Sequence, residues 1–79
     1  MRVRAKLFAT LSRHLAGVAP GTPVEVEISQ RATLVDLVDL LHVPQDEIKM
    51  VFVNGRIRPL DYELQPGDEV GIFPPVGGG

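Results

Sequence analysis

The segment Pro74-Pro75-Val76-Gly77-Gly78-Gly79 is the stretch of the chain whose composition points most directly to chemistry. Its two prolines fix φ and remove two backbone donors, so the segment neither extends a sheet ladder nor starts a helix. The three glycines that follow carry no Cβ and free the backbone. Fully extended, six such residues reach about 20 Å. The expectation is a probe that enters the active site of another protein with the carboxylate of Gly79 at its tip. An α-carboxyl group has a pKa of about 3.3–3.7 and is ionised at neutral pH. Its oxygen can attack the α-phosphorus of ATP inside that partner and form an acyl-adenylate. Sulfur can then attack the unhindered acyl carbon, expel AMP and leave a thiocarboxylate. A glycine-rich end taken alone also fits a frayed terminus. The Pro-Pro pair directly behind a strong final strand favours the probe.

Other residues compete poorly for a chemical role. The chain has no cysteine, which excludes disulfides, thiolate metal sites and cysteine nucleophiles. Any sulfur it carried would have to sit on something other than a side-chain thiol. No Gly-rich phosphate loop is present. His14 and His42 lack a Cys, His or acidic neighbour at metal-ligand spacing and read as surface histidines. Asp68 and Glu69 follow Pro66-Gly67, where Asp commonly bonds backbone amides, so a structural turn outweighs acid–base work. Arg56 and Arg58 read as solvated edge charges, with a docking role as the alternative. The formal net charge of −2 argues against nucleic acid as the main partner, although Arg2, Arg4, Lys6 and Arg13 crowd the start.

The elements that must hold the probe follow from periodicity. With 79 residues, 44% hydrophobic and 23% charged, the chain has room for one folded domain. The domain is expected over residues 1–73, with residues 74–79 as a flexible tail. Arg2 to Phe8 alternates, with Val3, Ala5 and Leu7 on one face. Phe8 falls on the charged face. Leu11 and Leu15 suit a helical turn. Pro23 to Ile28 alternates again, and its outward Glu25 and Glu27 would lie beside the basic row of the first strand. Thr33 reads as a helix N-cap with Asp36 three residues later. Leu34, Leu37, Val38 and Leu41 then form one stripe, and Pro44 stops the helix. Met50 to Val53 is apolar throughout and suits a strand covered on both faces. Asn54-Gly55 is a hairpin turn leading to a short return over Arg56-Ile57-Arg58. Val70 to Phe73 is the last strand, with Phe73 out of phase with Val70 and Ile72. A helix over one face of a mixed sheet, an α+β arrangement, buries these faces economically. No apolar run approaches transmembrane length, and a cytoplasmic location is the default expectation.

Several of these segments together resemble the MoaD/ThiS family of ubiquitin-like sulfur carriers. They are Lys6-Leu7-Phe8-Ala9-Thr10-Leu11, Val53-Asn54-Gly55, Leu64-Gln65-Pro66-Gly67-Asp68-Glu69-Val70 and Phe73-Pro74-Pro75-Val76-Gly77-Gly78-Gly79. The ending is closer to MoaD, the small subunit of molybdopterin synthase, than to ThiS. The resemblance implies a β-grasp fold and a carrier that is not itself an enzyme. It implies adenylation of Gly79 by a MoeB/ThiF-like enzyme of the ubiquitin-activating type, which uses the ATP, while the carrier binds no cofactor or metal. It further implies insertion of Gly77, Gly78 and Gly79 into a MoaE-like large subunit, where sulfur passes to a cyclic pterin precursor. An apolar patch on the outer sheet face would meet these partners. The matching positions are Phe8, Ile57 and Phe73, continued by Pro74, Pro75 and Val76. Parallel pairing of the first and last strands would bring Phe8 and Phe73 together, whereas a bulge would turn one ring into the core. For Ile57, strand phase decides nothing. Many relatives carry arginine directly after the FATL-like turn, but here Ser12 stands there and Arg13 follows. The helix is also closer to ThiS proportions. The alternatives are a ThiS-like carrier for thiamine thiazole synthesis, a ubiquitin-like modifier joined to lysines, and an S4- or TGS-like RNA-binding module.

Overall fold

In a computed structural model, which describes residues 1–75, the chain forms a five-stranded sheet with one main helix. The strands are β1 (Arg2–Leu7), β2 (Val24–Glu27), β3 (Met50–Val53), β4 (Arg56–Ile57) and β5 (Glu69–Phe73). Helix α1 spans Leu34–Leu40, and 3-10 turns cover Ala9–His14 and Gln45–Glu47. The sheet order is β2-β1-β5-β3-β4. The β1–β2, β3–β4 and β3–β5 pairs are antiparallel, and β1–β5 is parallel.

Alternation along the strands sorts the faces. Val3, Ala5 and Leu7 of β1, Val51 and Val53 of β3, and Val70 and Ile72 of β5 are all buried on the helix side. Leu34, Leu37, Val38 and Leu41 supply the facing stripe. Leu11, carried by the first 3-10 turn, is also fully buried. These residues form one contiguous core, and removing their apolar area from water is the main force holding sheet to helix.

The helix begins as its sequence predicts. The Asp36 amide donates to Thr33 Oγ1 at 3.4 Å, and the Thr33 amide donates to Asp36 Oδ2 at 2.8 Å, completing a reciprocal capping box. Its end differs from the expectation placed on Pro44. His42 adopts φ +60°, the Val43 amide donates to the Val38 carbonyl at 2.9 Å, and the His42 amide donates to that of Asp39 at 3.0 Å. This is the paired closing pattern in which a left-handed residue satisfies the last carbonyls, so the helix stops before the proline. The hairpin at Asn54-Gly55 has φ +52° and +85°, the double left-handed turn that this dipeptide favours.

The strand Met50–Val53 corrects a second expectation. Only Val51 and Val53 are buried, whereas Met50 and Phe52 are half-buried on the other face. The single helix covers one side of the sheet, so the apolar run does not mean two covered faces.

Candidate functional site

The outer face of the sheet is built from the residues that alternation turns away from the helix. On β1 the outward row runs Arg2, Arg4, Lys6 and then Phe8. Phe8 keeps extended backbone angles (φ −104°, ψ 155°), and its amide donates to the Ile72 carbonyl at 3.1 Å. The parallel ladder therefore continues one residue past β1 without a bulge. Register then places Phe8 beside Phe73, because Leu7 pairs with Ile72. Their rings stack at 4.2 Å between centroids and 3° between planes. Such a pair contributes about 0.5–1.5 kcal/mol beyond its buried area. Of the two arrangements open to the sequence, the structure adopts the meeting of the rings on the outer face.

Two further apolar residues extend the platform. Phe52 meets Phe73 edge-on at 5.5 Å and 75°. Ile57 pairs with Phe52 across the β3–β4 hairpin and is 62% exposed, so the strand phase that the sequence left open puts it on this face. Gly71 lies between Lys6 and Phe52 in one row across the sheet. A shallow hollow there is bordered by Lys6, Phe8, Phe52, Asn54, Glu69 and Phe73. The Lys49 amide donates to the Phe73 carbonyl at 2.8 Å, tying the end of β5 to the approach to β3. Pro74 is half-buried and Pro75 exposed immediately beyond it. Val76, Gly77, Gly78 and Gly79 lie outside the described residues.

The rest of the outer face is ionic. Arg2 pairs with Glu27 at 2.8 Å, and Arg4 approaches Glu25 at 3.7 Å. The hydrogen bond to Glu27, backed by the charges of Glu27 and Glu25, raises the Arg2 pKa above its ordinary value.

Other candidate polar residues resolve as supports. Asp68 is buried; Oδ2 accepts from the Gln65 amide at 2.8 Å and Oδ1 from Asn54 Nδ2 at 2.9 Å. Asn54 Oδ1 in turn accepts from the Glu69 amide at 3.0 Å. Asp68 thus locks the turn before β5 to the β3–β4 hairpin. Arg58 lies over the Tyr62 ring at 5.1 Å rather than on the aromatic platform. His42 is exposed at the helix end. His14 is half-buried, unlike the surface histidine its sequence neighbours suggested. Its Nε2 lies 2.9 Å from Glu47 Oε1, and Arg13 Nη2 donates to the same oxygen at 2.6 Å. The hydrogen bond from His14, with the Arg13 charge, holds the Glu47 carboxyl below its ordinary pKa against the opposing effect of burial. Among the described residues, no group of three or more metal-ligating side chains gathers in one place.

Sequence reasoning missed Phe52 and Gly71. Phe52 is out of phase with Val51 and Val53 in the same way that Phe73 is out of phase with Ile72, and that phase was its available signal. A glycine inside a strand marks a close approach, which was the signal for Gly71.

A mixed sheet in the order β2-β1-β5-β3-β4, with a parallel central pair and one helix across a single face, is the ubiquitin-like β-grasp. The family model described as ThiS family matches residues 6–79, and the chain belongs to this family of ubiquitin-like sulfur carriers. Its members are small carrier proteins rather than catalysts. SAMP1 from Haloferax volcanii is 29% identical, with a TM-score of 0.75 and coverage of 100% of both chains. A putative molybdopterin converting factor, subunit 1, from Pyrococcus furiosus is 32% identical, covers 96% of this chain and 99% of its own, and has a TM-score of 0.74. The complex of subunits 1 and 2 of molybdopterin-converting factor from Helicobacter pylori contains a chain of the same fold at 19% identity, with a TM-score of 0.62 and 100% coverage of both chains. No curated protein matches the chain in sequence. Among the described residues no helix is long and apolar enough to cross a membrane.

Proposed function

We propose that the chain carries sulfur as a thiocarboxylate on Gly79 and delivers it in molybdopterin synthesis. The observation that carries this reading is the ThiS family match extending through residue 79. The outer-face platform ending at Phe73, directly before Pro74-Pro75, gives a partner something to grip beside the reactive end. Residues 1–73 form the docking body and residues 74–79 the tail.

In this proposal a MoeB/ThiF-like adenylating enzyme binds the platform through Phe8, Phe73 and Ile57 and threads the tail into its ATP site. The Gly79 carboxylate attacks the α-phosphorus and pyrophosphate leaves. Sulfide then attacks the acyl carbon, its proton is lost and AMP leaves, so sulfur replaces one carboxylate oxygen. The loaded tail, with Pro74, Pro75 and Val76 at its base, enters a MoaE-like large subunit, where the sulfur passes to the pterin precursor. The Helicobacter pylori complex of subunits 1 and 2 supports a partner of this kind. The carrier itself supplies no cofactor; ATP is consumed in the partner, which fits a cytoplasmic setting.

The test is the intact mass of the chain after incubation with a ubiquitin-activating-type adenylating enzyme, ATP and a sulfide source. The mass should rise by the difference between sulfur and oxygen, and a chain lacking Gly79 should show no rise while melting at the same temperature. An unchanged mass in the chain that ends at Gly79 would sink the carrier reading. Adding the large subunit and the pterin precursor then decides the pathway, because formation of the dithiolene product is required.

A second reading is favoured by the likeness to SAMP1, since the Haloferax volcanii protein is described as a small archaeal modifier. Gly79 would then join target lysines through the same adenylate. Mass-spectrometric detection of Gly-Gly remnants on lysines of other proteins separates this outcome. A thiazole-pathway role, as the family's name suggests, would appear as sulfur transfer without a large synthase subunit.

A further inference from the structure

Gly71 sits on the outer face at the centre of β5, the middle strand of the sheet. Its neighbours on both sides are paired in register, Lys6 on β1 and Phe52 on β3. Gly17, Gly21, Gly55 and Gly67 all have positive φ, and Gly71 does not. The backbone at Gly71 is ordinary strand and would accept any residue. Glycine is moreover a poor strand residue, because it loses more freedom on folding and packs nothing. Neither conformation nor local propensity accounts for it.

Space does. A Cβ at Gly71 would lie 3.2 Å from Phe8 Cε2 and 3.4 Å from Phe73 Cε1. The stacked rings therefore lean over the glycine from both partners of the stack. Phe8 is held from a second side as well, because a Cβ at Gly21 would come within 3.3 Å of Phe8 Cε1. Gly21 belongs to the loop that returns to β1, where its amide donates to the Leu7 carbonyl at 2.9 Å. The ring of Phe8 is thus seated between two glycines and Phe73.

We propose that Gly71 is a positioning residue for partner docking. By leaving its place empty, it sets the depth and tilt of the Phe8–Phe73 stack, and so the shape of the platform directly before Pro74. This rests on the carrier reading above, in which the adenylating enzyme is the occupant of that platform. A side chain at Gly71 would lift the rings outward without disturbing the core, since Val70 and Ile72 face the other way.

The experiment compares wild type with Gly71→Ala and Gly71→Val. Melting temperatures should change little, because the better strand propensity of alanine and valine offsets the weakened ring stack. Proton NMR contacts between the Phe8 and Phe73 rings should weaken in Gly71→Ala and be lost in Gly71→Val. ATP–pyrophosphate exchange with the ubiquitin-activating-type adenylating enzyme of the same genome then gives KM and kcat. KM should rise about threefold for Ala and about tenfold or more for Val, with kcat within about twofold of wild type, as befits loss of binding rather than of chemistry. A Val variant with displaced rings and an unchanged KM overturns the inference alone, as does a variant in which the rings have not moved. If valine prevents folding, the alanine variant alone decides between the same outcomes. Wild-type protein that supports no exchange overturns the carrier reading and this inference with it.

Discussion

Within strand β1 the outward side chains change character. Arg2 and Arg4 meet Glu27 and Glu25 across β2 and are neutralised inside the chain. Further along the same row, Phe8 meets another aromatic ring. Across the sheet the apolar surface continues through Phe52 to Ile57, which is exposed on β4. The ionic half satisfies its own charges and has little left to offer a partner. The aromatic half satisfies itself only in part, by stacking, and leaves apolar area facing water. Contiguous exposed apolar surface on a small domain is a mark of an interaction site. Under the proposed function, docking falls to the aromatic half and not to the ionic half. It also predicts that mutations in the two halves fall on different measurements.

The largest effect should come from the stack. Phe73→Ala and Phe8→Ala should each raise KM for adenylation roughly tenfold or more, in the range of interface anchors. A double-mutant cycle on chain stability should return a coupling of about 0.5–1.5 kcal/mol for the pair. Substitutions that lower stability but leave KM untouched would assign the rings to folding alone and erase the distinction between the halves.

Much of this arrangement is legible in the sequence. Strand phase put Phe8 and Phe73 on the wrong side for the core, and parallel pairing of the end strands was the one topology that joined them. Thr33 with Asp36, and Asn54 with Gly55, marked a helix start and a hairpin because their signals are local. What was not legible depended on contacts between distant residues or on empty space. Phe52 hid inside an apolar run, since such a run does not say which face lacks a cover. Gly71, as a glycine inside a strand, signals a close approach, but the sequence does not say which side chains make it. The Glu47 partner of His14 lies 33 residues away, beyond any spacing rule. The helix end was misplaced because His42 takes a left-handed conformation that the sequence more readily suggests for glycine or asparagine. The tail was conspicuous in sequence by composition alone.

A smaller effect separates two kinds of ionic contact. Glu47 holds Arg13 and His14 in the 3-10 turn that begins directly after Phe8, and the side chains of Glu47 and His14 are 31% and 19% exposed. Its carboxyl titrates below the ordinary value of 4.5 in the folded chain. A depressed folded pKa adds stability above the unfolded value, and that stability is lost as pH falls through the folded value. The wild-type melting temperature should therefore drop on acidification below about pH 4.5. Glu47→Gln should be less stable than wild type at neutral pH and should lose less on acidification. Parallel acid limbs in the two proteins would remove Glu47 as an acid-sensitive clamp on the aromatic side.

The least effect is expected from the exposed ladder. The Arg2 and Glu27 side chains are 62% and 68% exposed, so water and salt screen their attraction and ordering two long side chains offsets part of it. Arg2→Ala should lower the melting temperature by only about 2 °C at low salt. The difference should shrink further in molar salt, where the screening length falls to about 3 Å. KM for the adenylating enzyme should not change, because the proposed docking surface lies in the other half. A rise in KM comparable to that of Phe73→Ala would show that the partner reads the charged rows as well, and the outer face would then be one continuous interface rather than two surfaces with separate tasks.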